Sequence, residues 1–185
     1  PGSGKSYFSH KVAEDLRTEG YGIAEPSWML DHKYGKWLRV LIKVWMGCLF
    51  RIFQHAKAVG LINTVKSYGL RKNDEKRIVR NLMYKAYYLT RQNKGILLFD
   101  EGIAQMTVSM AVDSGERAQK IYNDLLDILL LNQKCLVVKI DCSIEIALAN
   151  IDLRKSCDSK AERIGGLEAR KEYLRDYKKE CESIV

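Results

Sequence analysis

Gly2-Ser3-Gly4-Lys5-Ser6 sets two glycines, a lysine and a hydroxyl at the spacing that wraps a phosphate. Gly2 and Gly4 permit backbone conformations that a side chain would block. Consecutive amides can then curl around the β-phosphate of a nucleotide, ahead of a helix N-terminus that favours negative charge. Lys5 would bring a mobile charge to the β- and γ-phosphates, and Ser6 a hydroxyl for Mg²⁺. With Ser3 and Tyr7 they form the candidate ATP-binding stretch. The full pattern is a glycine, four residues, then Gly-Lys-Ser/Thr, which puts the first glycine two positions before Pro1; the natural chain is expected to start upstream. A flexible Gly/Ser leader is the plain alternative, and the amphipathic run that follows argues against it.

A second group lies about 95 residues downstream of Lys5. Ile96-Leu97-Leu98-Phe99 ends in Asp100-Glu101 and reads as a buried parallel strand delivering acids to a site. Asp100 is placed to hold the hydration shell of Mg²⁺. Glu101 is either a base for an attacking hydroxyl or water, or a second metal ligand. A third group, Asp152 to Arg163, offers Arg154, Lys155, Lys160 and Arg163. Cations closing over a migrating phosphoryl group favour its transition state, and Arg154 and Arg163 are the candidates. Taken in isolation, this stretch reads as ordinary surface charge.

The elements that must position these groups follow from periodicity. Phe8, Val12 and Leu16 recur at four-residue spacing, predicting a helix from Gly4 to Glu19 that Gly20 ends. Tyr21 to Ala24 is a short strand candidate. Helices are expected over about Gly35–Lys57, Val59–Ser67, Asp74–Arg91, Gly115–Leu131, Ser143–Asn150 and Leu167–Glu182. Cys135–Ile140 is expected as another buried strand. Helices alternating with apolar strands imply an α/β layered fold with a parallel sheet.

Composition fits one globular domain over 1–185. Of the 185 residues, 46% are hydrophobic and 29% charged, with no low-complexity tract. Trp37–Phe53 is the most apolar stretch, but Arg39, Lys43 and Arg51 interrupt it, and its longest uncharged run, Val44–Phe50, is seven residues. A membrane span needs roughly 20. A buried or surface-lying amphipathic helix is expected instead, with membrane association through this basic, Trp-containing face the lesser alternative; the segment also offers a face to a second copy. The five cysteines show no C-x-x-C spacing and the histidines are scattered, which argues for reduced cytoplasmic thiols and against structural zinc. Net charge is +8, and between Asp31 and Asp74 nine Lys or Arg occur without one acidic residue. That imbalance suits a solvated basic surface, a phosphorylated substrate or nucleic acid, although the usual nucleic-acid motifs are missing.

Together, Pro1–Ser6, Glu25-Pro26, the Asp100 strand end, and Asp141-x-x-x-Glu145-x-Ala147 running into Arg154 and Arg163 resemble the nucleotide-kinase branch of P-loop proteins. The likeness is to thymidylate kinase-like small kinases. It implies a three-layer P-loop NTPase fold of about five parallel strands, with the first, central strand missing from this chain. It also implies a helical substrate region over about 32–93 and an arginine-bearing lid over about 152–166. Thymidylate kinases carry Asp-Arg after this strand, whereas Asp100-Glu101-Gly102 stands here, so the arginine for the acceptor phosphate is absent from its usual place. A Glu there is similar to the base of deoxynucleoside kinases. The resulting expectation is an ATP- and Mg²⁺-dependent transfer to a small-molecule acceptor, a nucleotide, a nucleoside or similar. A nucleotide-dependent switch or ATPase with a protein partner is the alternative, and a nucleotide-binding module without turnover a third reading.

Overall fold

Gly4 adopts a left-handed backbone (φ 73°, ψ 13°) ahead of α1 (Lys5–Thr18), and its carbonyl accepts the Phe8 amide at 3.1 Å. A side chain at Gly4 would meet no neighbour, so the need for glycine there is conformational. The computed structural model describes residues 4–91, 95–129, 136–153 and 160–184. Beyond α1 a two-residue strand, β1 (Ile23–Ala24), leads to α2 (Pro26–Lys33), whose proline sits in the first turn, where no intrahelical amide bond is lost.

The bundle begins with α3 (Lys36–Phe53) and α4 (His55–Ser67). The helix expected over Gly35–Lys57 is thus two helices, broken where Gln54 leaves helical geometry (φ −134°, ψ 51°). The break lets Phe50 on one side and Ala58 and Leu61 on the other face a common core. α5 (Lys72–Arg91) is the central helix: five consecutive residues, Leu82 to Ala86, are buried, and it packs against both α3 and α4. Gly47 on α3 brings the backbones close, since a Cβ there would lie 3.3 Å from Met83 Cβ.

After β2 (Ile96–Leu97) come α6 (Ile103–Ser114) and α7 (Ala118–Leu129), where one helix was expected over Gly115–Leu131. The Glu180 carboxylate accepts the Ala118 amide at 2.9 Å and caps the start of α7 from another helix. The chain continues through α8 (Ile144–Asp152), with Ser143 Oγ accepting the Ile146 amide, then α9 (Lys160–Arg163) and α10 (Leu167–Glu182). α10 packs on α6, and a smaller apolar cluster of Ala147, Leu148, Ile151, Ala161 and Leu174 joins α8 and α9 to it.

The three-layer P-loop NTPase architecture is not the one this chain adopts. About 76% of the described residues are helical, and the strands among them are two short parallel ones. They pair Ile23 with Ile96 and Ala24 with Leu97. Of the strand expected over Cys135–Ile140, Cys135 lies outside the described residues, and Leu136–Ile140 pairs with nothing described. Leu136 and Val138 are 89% and 62% exposed there. The physical reason is the distribution of apolar surface. Ile78, Leu82, Ala86 and Leu89 recur at helical spacing on α5 and meet Ile121, Leu125 and Leu129 of α7 in one core, so helices cover helices and no broad sheet is needed.

Candidate phosphate site at the start of α1

Gly4 has no side chain to cap the first turn of α1, whose amides lie at the end of the helix that favours negative charge. From this turn the Ser6 hydroxyl donates to Asp100 Oδ2 at 2.7 Å, across 94 residues of sequence. The other oxygen of that carboxylate, Oδ1, accepts the Glu101 amide at 2.8 Å. Asp100 therefore stands just beyond β2 with both oxygens engaged, one of them on the residue that the sequence pairs with it for Mg²⁺.

β1 and β2 set this contact. The Ile96 amide donates to Gly22 O at 2.8 Å and the Leu98 amide to Ala24 O at 2.9 Å, which brings the segment ending in Asp100 against the chain leaving α1. Gly95 (φ +85°) makes the approach possible, because a Cβ there would collide with the Gly22 carbonyl. Buried Glu25 secures α1 from the other side. Its carboxylate accepts Arg17 Nη2 at 2.6 Å and lies 3.2 Å from His10 Nδ1. His10 in turn stacks on Trp28 (3.8 Å) and Trp28 on His32 (3.5 Å).

A residue that sequence reasoning missed stands close by. Lys85, in the middle of α5, is 4% exposed, and among the described residues its ammonium makes no hydrogen bond or ion pair. It lies 5.8 Å from the ring centroid of Phe99, the residue immediately before Asp100. Burial pushes its pKa down to about 8; Glu101, Asp100 and Asp31 pull the other way, and Lys43 adds to the depression. Lys43 on α3 reaches across to Tyr84, 5.6 Å from its ring. Among the described residues, the Tyr84 hydroxyl and Gln105 Oε1 on α6 are buried without a hydrogen-bond partner. Burial drives the Tyr84 phenol well above its ordinary range, with Tyr88 and then Asp31 and Asp100 adding to the shift. The signal was present in the sequence: Ile78, Leu82, Lys85 and Leu89 share one helical stripe, and a lysine in an inward stripe must find a use or a price.

The site residues read from sequence divide accordingly. Gly4, Lys5, Ser6 and Tyr7 share the first turn of α1 or its cap, and Ser6 meets Asp100, with exposed Glu101 adjacent. Gly2, Ser3 and Arg154 lie outside the described residues. Arg163 is on α9, whose Lys160 pairs with Asp113 and lies in the fields of Arg71, Asp74, Arg77 and Arg163. Arg77 is eight residues before Lys85, about 12 Å along the helix, so Arg163 stands by the opening turns of α5, away from Asp100. The 350 Å³ depression lined by Phe50, Phe53, Gln54, Tyr87, Thr90 and Arg91 shares no residue with the Ser6–Asp100 contact.

The donor set suits a cation brought in by phosphates. Among the described residues no three His, Cys, Asp or Glu gather into a metal-binding group. Mg²⁺ commonly takes one or two carboxylates and completes its shell with phosphate and water; adjacent ligands on such an octahedron sit about 2.9 Å apart. The 2.7 Å between Ser6 Oγ and Asp100 Oδ2 is close to that spacing. No protein-family model, curated protein or solved structure matches this chain, so its resemblance to thymidylate kinase-like enzymes rests on the quoted motifs alone.

Proposed function

We propose that this protein binds a magnesium nucleoside triphosphate at the start of α1 and transfers its γ-phosphoryl group to a small acceptor such as a nucleotide or nucleoside. The observation that carries the reading is the hydrogen bond from Ser6 to Asp100. The motif and the acid are remote in sequence, chosen for one chemical task, and adjacent in space. This local contact stands without the layered kinase fold, which the helical architecture replaces, whereas the acceptor class and the roles of Arg154 and Arg163 come from the motif resemblance.

In this assignment the amides of the first turn and Lys5 hold the phosphates, while Ser6 and Asp100 face the cation. Bound Mg²⁺ would supply charge neutralisation at the β- and γ-oxygens. Glu101 accepts the proton of the acceptor hydroxyl as its oxygen bonds to the γ-phosphorus; the bond to the β-phosphate oxygen breaks and the diphosphate departs. Buried Lys85 offsets negative charge gathering beside Glu101. Arg154 and Arg163 remain proposed phosphate ligands, Arg163 through movement of α9 toward the site. The free thiols of Cys48, Cys142 and Cys181 suit the cytoplasmic setting that belongs to the same proposal.

One observation favours a second reading. Ser6 and Glu101 are exposed and Asp100 is half-buried, so water reaches the site, as a hydrolytic nucleotide switch requires. Calorimetry with ATP and Mg²⁺ tests the shared premise. Binding should need the metal and weaken at least about tenfold in Ser6→Ala and Lys5→Ala. Affinity unchanged in both variants would overturn the site. ADP formation that depends on an added nucleoside or nucleotide supports transfer, and release of phosphate without any acceptor supports the switch.

A further inference from the structure

The most apolar face of α3 points away from the bundle. Gly47 and Phe50 turn inward, yet Trp37, Leu41, Trp45 and Ile52 are 84, 63, 67 and 72% exposed. At 3.6 residues per turn these four, with Val44 and Cys48, fall within an arc of about 100° that runs the helix's length of about 27 Å. A protein surface rarely leaves so continuous an apolar strip in water without a partner. Among the described residues no helix is long and apolar enough to cross a membrane, so a strip of this kind can lie on a bilayer without entering it as a span.

The charge around the strip identifies the partner. No acidic residue occurs between Asp31 and Asp74. Lys33 and Arg51 are exposed at its two ends, and Arg91 from α5 lies 4.7 Å over the ring of exposed Phe53. Two copies packed strip to strip would bring predominantly basic rims together, with Asp31 at one end already engaged by Arg39 at 2.7 Å. An anionic bilayer offers acyl chains to the strip, an interface suited to tryptophan, and phosphates to the rim. We infer that α3 docks flat on an anionic phospholipid surface, burying Trp37, Leu41, Trp45 and Ile52 in the headgroup region with Arg51 and Arg91 on lipid phosphates.

The test is sedimentation of the whole chain with vesicles of phosphatidylcholine alone and of equal parts phosphatidylcholine and phosphatidylglycerol. Binding to the mixed vesicles, weakened by salt and accompanied by a blue shift of tryptophan emission, is expected, with little binding to phosphatidylcholine alone. Leu41→Glu and Arg51→Gln change only the exposed face; the first should lower binding about tenfold or more and the second by about threefold to fivefold. Far-ultraviolet circular dichroism confirms that each variant is folded. Binding that ignores lipid charge overturns the proposal, as does no vesicle binding together with a sedimenting dimer that Leu41→Glu disperses. Nucleotide affinity takes no part in either result, so this inference and the proposed function fail separately.

Discussion

The bundle of α3 to α7 with α10 is held by apolar burial, whereas the seam joining α1, β1 and β2 is held by a few directed polar contacts. In the bundle Leu61, Leu82, Ile121 and Leu125 are all but inaccessible and pack in one core. At the seam the described contacts are the short β1–β2 ladder, the Ser6–Asp100 contact and the grip of Glu25 on Arg17 and His10. Apolar burial is cumulative and tolerant of detail, and it supplies most of the stability. Directed contacts contribute about 1 kcal/mol each and depend on position. The proposed chemistry belongs to the seam, where small movements are cheap and groups face solvent.

Truncating the bundle should have the largest effect. Leu82→Ala is expected to cost about 2–5 kcal/mol in denaturant unfolding, yet leave magnesium-nucleotide affinity unchanged wherever the variant is still folded. A parallel loss of affinity would mean the two regions are not separable. Next comes the seam itself. Gly95→Ala meets the Gly22 carbonyl at a positive φ and should cost roughly 1–3 kcal/mol. Hydrogen exchange sharpens the comparison: the Ile96 and Leu98 amides should exchange faster while those of α5 keep their protection. Uniform loss of protection would show that the seam is part of the bundle's cooperative unit.

The smallest effect should have the opposite sign. Lys85→Met replaces a buried ammonium by an isosteric apolar chain and should stabilise the protein at neutral pH by on the order of 1–2 kcal/mol, while impairing any phosphoryl transfer. The pH dependence follows from the depressed pKa. Between about 8 and 10.5 the unfolded chain holds a proton that folded Lys85 has shed, so the native protein gains stability as pH rises through that window. Lys85→Met should lack the gain, and its advantage should shrink from pH 8 upward. An equal advantage at every pH would place Lys85 outside the field assigned to it.

The helical elements were largely legible because their signals are local. Leu167–Glu182 was read from its amphipathic pattern with the bounds that α10 shows, and Ser143 was read as a helix cap. The sheet was misread because a run such as Ile96–Phe99 is equally at home in a buried strand or in a short extended segment laid over helices. Only pairing partners decide between them, and Leu136–Ile140 has none described. α6 went unread because Ile103, Met106, Thr107, Val108 and Met110 are buried on several faces and leave no polar stripe to reveal the period. In the site, Ser6 and Asp100 were singled out by residue type for one proposed task, and the structure brings them within a hydrogen bond of each other. Lys85 was hidden by the reverse logic, a charge counted with the solvated ones although its position in the stripe points inward.

Gly47 carries a mechanical consequence. With no side chain between them, α3 and α5 touch nearly backbone to backbone at Met83, leaving little room to slide or roll past one another. The pair then behaves as a stiff beam, with the tryptophan strip along one flange and the lone ammonium two residues beyond Met83 on the other. Anything that seated the outer flange would then also aim that ammonium, so the inferred anchorage and the proposed chemistry would share one lever arm.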